Sequence, residues 1–254
     1  MIPPLVRASL AAALLAGSLL AAAVPGARAA EAFTPEQRAE IVAILREALR
    51  SDPSILRDAV QALRADEGAR RDQAARGAIA RDRAALLADP ADPVAGNPAG
   101  DVTVVEFYDT RCPYCRRMLP TLEALLRAEP AVRLVYKDLP VLGPASQLEA
   151  NALLAAQRQG GYLKLREALM RSSIPSTPES IRAEAERQGL DADRLLRDMP
   201  DPAIRARLEL NARLARDLAI EGTPALVIGG RLIPGAADLA TLRAAVAEAR
   251  GSGQ

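Results

Sequence analysis

Cys112 and Cys115 are the only cysteines in the 254-residue chain, which has no histidine. They stand three apart in the run Arg111-Cys112-Pro113-Tyr114-Cys115. On a helix that spacing puts both sulfurs on one face, within bonding reach. Such a pair suits thiol–disulfide exchange, in which one sulfur attacks or is attacked and the other resolves the mixed disulfide. The sulfurs carry the two electrons themselves, so no diffusible cofactor is required. Pro113 fits a first helical turn, where a missing N–H costs nothing. Cys112 is therefore expected at a helix N-terminus, facing unsatisfied N–H groups and the positive end of the dipole, with Arg111, Arg116 and Arg117 adding charge. Both effects favour thiolate over thiol and make Cys112 the nucleophile. Cys115, one turn inward, is the resolving thiol.

Other chemistries fit the pair less well. Structural zinc wants four Cys or His ligands, which one such chain does not supply. An inert disulfide over this spacing would close a tiny loop and constrain the unfolded chain little. Capture of Cu(I) by the two soft thiolates at Cys112 and Cys115 is chemically reasonable, although no Met or Cys cluster supports it.

The elements that must position the pair are readable from pattern. Residues 102–108 are rich in β-branched and aromatic side chains and predict a strand running directly into the cysteine helix, which extends to about Ala128. Asn97-Pro98-Ala99-Gly100 is the turn before it. Residues 131–137 alternate into a second strand that stops at Asp138-Leu139-Pro140, where Lys137 either reaches Glu106 or ends in water. Residues 145–218 read as helices throughout. Leu148, Ala152, Leu153 and Ala156 form one stripe; Leu163, Leu165, Leu169 and Met170 form another. Ser176-Thr177-Pro178-Glu179 caps a third helix, Asp191 starts a short one and Pro202 opens the last. Two strands at 223–228 and 231–233 follow, joined by a Gly229-Gly230 hairpin, and a helix at 237–250 closes the chain.

Residues 1–29 have the form of a cleaved signal peptide. Arg7 gives the positive region, 14–24 the apolar core and Ala27-Arg28-Ala29 the cleavage site. The apolar run is short and ends at Pro25-Gly26, which argues against a retained membrane helix. Removal takes Arg7 and Arg28 with it and turns a net charge of +1 into −1, a balance that points to neither nucleic acid nor an anionic membrane as partner. Export to an oxidising compartment agrees with working disulfide chemistry. Residues 30–91 then form a helical extension. Thr34-Pro35-Glu36 starts it, and Ile41, Ile44, Leu45, Ala48 and Leu49 make an apolar stripe. After Asp52-Pro53 the stripe continues through Ile55, Leu56, Ala59, Val60 and Leu63. The charged stretch 66–83 is expected to be helical and solvated, ending at Pro90-Ala91-Asp92-Pro93. These stripes either pack on their own catalytic domain or pair between chains as a stalk.

Glu106 six residues before Cys112, Pro120 five after Cys115, and Gly222-Thr223-Pro224-Ala225-Leu226-Val227-Ile228-Gly229 complete a recognisable pattern. From about Asp101 to Arg250 the chain resembles the periplasmic DsbA-like thioredoxin-fold disulfide oxidoreductases; a bare glutaredoxin shares Cys-Pro-Tyr-Cys but has no room for the helical block. The resemblance implies an α/β thioredoxin-like fold in a catalytic domain at 92–254, with a helical insertion at about 142–219. It implies a cis peptide before Pro224, whose ring covers the sulfurs, and backbone at Thr223 that pairs with an extended substrate. Glu106 becomes a buried acid, and the role expected for it is to relay a proton to Cys115 through water when the mixed disulfide breaks. Pro113 and Tyr114 lie between the cysteines without the His of DsbA itself, which implies a less extreme potential. The extension, through Phe33-Thr34-Pro35-Glu36 and Ser51-Asp52-Pro53-Ser54, is similar to that of ScsC-type proteins. Members of that group with a long extension trimerise through it and act as isomerases; members without a working stalk are monomeric. The implied function is a periplasmic isomerase or reductase of exported, cysteine-containing proteins. It would be served by a membrane redox partner and would trimerise through residues 33–88. A monomeric oxidase and a Cu(I)-buffering protein are the alternatives.

Overall fold

Strand β2 (Val102–Tyr108) lies at the centre of a five-stranded sheet and is buried at all positions but Thr103. The computed structural model describes residues 33–252, and the signal-peptide reading of 1–29 lies outside the described residues. Around β2 the order is β1-β3-β2-β4-β5, with β1 at Val94–Gly96, β3 at Val132–Asp138, β4 at Ala225–Ile228 and β5 at Arg231–Pro234. β2 and β3 run parallel, joined by helix α4 (Pro113–Ala128); the other pairings are antiparallel. Both faces are covered, which explains why β2 and β3 read as nearly continuous apolar runs. The β4–β5 hairpin turns on Gly229 and Gly230, with Gly229 at φ 59°, as a two-residue primed turn requires. Strand β1 was not expected. It has three residues between Pro93 and Asn97-Pro98, too few to show a period, and exists by pairing with the edge of β3.

Alternation along the strands divides the core in two. Val104, Tyr108, Leu134 and Tyr136 face one side, packed with Met118 and Leu122 of α4, Val246 of α10 (Leu239–Gly251), and the inserted helices. Those helices are α5 (Pro144–Gln157), α6 (Tyr162–Arg171), α7 (Pro178–Arg187), α8 (Ala192–Asp198) and α9 (Pro202–Asp217), between β3 and β4. Val105, Phe107, Val135 and Val227 face the other side, against Leu214 of α9. The thioredoxin-like architecture with a helical insertion is thus present.

The chain divides into two compact units between Val60 and Gln61 rather than at residue 91. The first contains α1 (Pro35–Ser51), opened by a capping box between Thr34 and Gln37, and it buries none of its residues. Ile41, Ile44, Leu45 and Leu49 are exposed there, as are Ile55 and Leu56 at the start of α2 (Ser54–Arg81). In the second unit α2 is helical as expected, but the stretch 66–83 is not solvated throughout. Ala75, Ala78 and Ile79 are buried, and α3 (Arg83–Leu87) buries Leu86 and Leu87. Ala78, Ile79, Leu86 and Leu87 join the cluster on the Phe107 side of the sheet, so this stretch belongs to the core despite its charge. No helix among the described residues is long and apolar enough to cross a membrane.

Candidate active site

The end of β2 delivers the chain to the sulfurs through a tight turn held by Asp109. The Cys112 N–H donates to the Asp109 carbonyl at 3.0 Å. The buried Asp109 carboxylate accepts from Arg111 N, Ser146 Oγ, Val141 N and Leu142 N at 2.8, 2.8, 2.9 and 3.1 Å. Cys112 is the N-cap of α4 and Pro113 occupies the first turn. Both cysteines are free thiols. Cys112 is 5% exposed and Cys115 fully buried. Cys112 Sγ donates to the Thr223 carbonyl at 3.2 Å, and the Thr223–Pro224 peptide bond is cis. Tyr114, at 57% exposure, stands out beside them.

Beyond Tyr114, Thr223 and Pro224 a cleft of about 680 Å³ opens. Leu218, Ile220, Leu232 and Pro234 line it, together with Gly68 and Ala75 of α2. It is mainly apolar and continuous with the cysteine site, a shape suited to an extended peptide.

Two of the three arginines expected to charge Cys112 are committed elsewhere. Arg116 donates from Nε to the Thr110 carbonyl and from Nη1 to that of Ser172, each at 2.8 Å. Arg111 reaches the buried Glu149 and the Ile174 carbonyl, both at 3.5 Å. The carbonyls after α6 and a buried carboxylate are the nearer partners for these guanidinium groups. Both arginines thereby tie the cysteine turn to the insertion. Arg117 lies over the Tyr114 ring at 4.2 Å.

Glu106 is fully buried on the cysteine side of the sheet. Its Oε2 accepts from Arg166 Nη2 at 2.8 Å, while Oε1 has no hydrogen-bond partner among the described residues. Burial raises the Glu106 carboxyl to about 7, against the pull of Arg166. Burial also pushes the Cys115 thiol far above the ordinary thiol range, and the charge of Glu106 adds to that rise. Arg166 sits on the rings of Tyr136 and Tyr108 at 3.9 and 4.3 Å. Asp138 accepts from Tyr108 and Tyr162, each at 2.9 Å, and burial raises its carboxyl to about 6.

Neither expectation for Lys137 holds. Glu106 pairs across the ladder with Tyr136 and Phe107 with Lys137, so Lys137 faces the side of the sheet away from Glu106. There it is fully buried, donating to Asp92 at 2.5 Å and to the Ala85 carbonyl at 2.7 Å. The partner of Glu106 is Arg166, which sequence reading missed. Its signal was a charge at i+4 from Tyr162 and three before Leu169, inside the buried stripe of α6.

The family described as the DSBA-like thioredoxin domain matches residues 103–247. The Copper resistance protein ScsC N-terminal domain matches residues 37–70. A thioredoxin-like oxidoreductase from Silicibacter pomeroyi is 43% identical, covering 66% of this chain and 98% of that one at TM-score 0.65. Proteus mirabilis ScsC in a transitional conformation is 31% identical, covering 87% of this chain and 98% of that one at TM-score 0.63. The Na(+)/H(+) antiporter NhaA 3 of Salinispora tropica is 33% identical over 166 residues, 63% of this chain. The chain spans about a quarter of the length of that antiporter, 26%.

Proposed function

Since the chain belongs to the DSBA-like thioredoxin-domain family, we propose that it is a thiol–disulfide oxidoreductase acting on cysteine-containing exported proteins. The reading places it in the periplasm after loss of residues 1–29, with a membrane thiol–disulfide partner to reset it. The observation that carries it is Cys112 at the N-cap of α4, with its sulfur 3.2 Å from the Thr223 carbonyl and Cys115 buried one turn inward. In this mechanism Cys112 meets the substrate sulfur and Cys115 resolves the mixed disulfide. The substrate strand lies along the Thr223–Pro224 cleft, and Pro113 and Tyr114 set the rim. Glu106 relays the proton of Cys115. Removing a proton from so buried a thiol needs a base in the same enclosure, and the carboxyl near 7 is suited to it.

Isomerisation or reduction is favoured over simple oxidation by the N-terminal unit. Its exposed apolar residues and the ScsC-type match at 37–70 support assembly between chains, as a trimer through the part of 33–88 that precedes the buried Ala75. Insulin reduction and refolding of scrambled ribonuclease test the activity. The wild type is expected to perform both, Cys112→Ser neither, and Cys115→Ser is expected to accumulate mixed disulfide. Tight Cu(I) binding by both thiols without exchange would favour copper buffering instead. Light scattering on the full chain and on Ile44→Glu/Leu45→Glu tests assembly. Loss of the trimer should abolish isomerisation and spare insulin reduction. A wild-type monomer would leave a simple oxidase or reductase.

A further inference from the structure

The buried base and the thiol it serves come from the β2–α4 unit, but the charge beside them does not. Arg166 projects from α6, sixty residues along the chain from Glu106, and is 3% exposed. One side of its guanidinium donates to Glu106 Oε2, and its plane is close to two tyrosine rings. Its Nε has no partner among the described residues, so Glu106 is the one acid it meets in a salt bridge.

We propose that Arg166 is the positioning residue of the buried base, so that the helical insertion supplies the charge that keeps Glu106 able to take the proton of Cys115. The proposal rests on the relay reading above. The step it governs is balanced within the pair. Cys115 gives its proton to Glu106, and its sulfur forms a bond to Cys112 Sγ. The bond from Cys112 to the substrate sulfur breaks, and that sulfur leaves as thiolate with the electron pair. The two cysteines are oxidised by two electrons and the substrate is reduced by two.

The groups acting on Glu106 are few. Arg166 of α6 opposes the rise that burial causes, and Asp138 at the end of β3 adds to it. Tyr108 of β2 and Tyr162 of α6 hold Asp138 by hydrogen bonds, Tyr136 of β3 lies under Arg166, and Cys115 of α4 feels the charge of Glu106. Glu123 and Glu167 act on Tyr136. Removing Arg166 and removing the charge of Asp138 must therefore displace the base in opposite directions, which loosened packing alone would not do.

The test is a single-turnover reaction of the reduced full chain with a peptide disulfide. Cys112 releases a coloured nitrothiophenolate, and Cys115 then releases a fluorescent peptide thiol. The second release in the wild type should be half-maximal near pH 7. Arg166→Gln should raise that midpoint by a unit or more, slowing the second release about five-fold or more at pH 7, with the rate restored at higher pH and the first release unchanged. Arg166→Lys should lie between the two, and Asp138→Asn should lower the midpoint. A wild-type midpoint in Arg166→Gln, or displacement of both variants the same way, overturns the proposal. If Arg166→Gln does not fold, an unmoved midpoint in Arg166→Lys overturns it equally. Glu106→Gln should abolish the titration. If it leaves the midpoint in place, the relay itself has failed, which is a different result from failure of Arg166.

Discussion

Two adjacent residues of β3, Tyr136 and Lys137, face opposite sides of the sheet and belong to two buried charge systems of different character. Beside Lys137 the partners are nearly complete. Asp92 accepts from Lys137 on one oxygen and from Arg207 on the other, Lys137 also reaches the Ala85 carbonyl, and Arg207 is held by Asp89. Burial pushes the Asp92 carboxyl up and the Lys137 ammonium down, and their contact opposes both shifts. On the Tyr136 side, Glu106 Oε1 and Arg166 Nε are without partners among the described residues. A saturated pair fastens chain segments together: here the 89–92 loop, α3, β3 and α9. An unsaturated one is costly to keep, but it leaves a lone pair free for a proton. One side of the sheet uses buried charge to hold and the other to react.

The contrast can be broken experimentally, starting where the effect is largest. Lys137→Met leaves the buried Asp92 with only the longer contact to Arg207 and should lower the unfolding free energy by about 3 kcal/mol in denaturant titrations. It should leave the pH midpoint of Cys115 attack unmoved. Next comes the pH dependence of stability. Glu106 and Asp138 have folded values raised to about 7 and about 6, from 4.5 and 3.8. The folded state therefore keeps these protons to higher pH than the unfolded state does. Their stabilising contribution is complete below the unfolded values and is lost as pH rises through the folded ones. For Glu106 the loss is on the order of 3 kcal/mol between pH 4 and pH 8. Unfolding titrations at those two pH values should show a smaller wild-type advantage over Glu106→Gln at the higher one. In kinetics, Glu106→Gln should slow Cys115 attack about 10²-fold above pH 7 and spare the Cys112 step, the low end of general-base effects. Smallest is Arg207→Gln at the edge of the saturated system, expected to cost about 1 kcal/mol of stability with no change in exchange rate.

Much of the catalytic unit was readable beforehand. A run of β-branched and aromatic residues, a Cys-Pro-Tyr-Cys helix start and a Thr-Pro before the last hairpin each carry a local signal, and the fold brings the three together. Charge placement was less readable because it depends on register. Lys137 is one position from Tyr136, and that single step decides which side of the sheet receives it. Arg166 is hidden in the sequence because the apolar pattern puts Leu163 on the buried face of α6. Leu163 is exposed, and the true face runs through Tyr162, Leu165, Arg166 and Leu169. The packing of 75–87 was missed because alanines at Ala75 and Ala78 carry little hydrophobic signal yet allow α2 to come close to the sheet.

The distribution of tyrosine gives the protein a built-in optical probe. The chain has no tryptophan and four tyrosines. Tyr108, Tyr136 and Tyr162 surround Arg166 and Asp138, while Tyr114 lies between the two cysteines. Tyrosine emission therefore comes from the buried network and one active-site ring, and from nowhere else in the molecule. In a Tyr114→Phe background the emission belongs to the network alone, so any change on oxidising Cys112 and Cys115 would register, without a label, how far the redox state of the sulfurs is felt around Arg166.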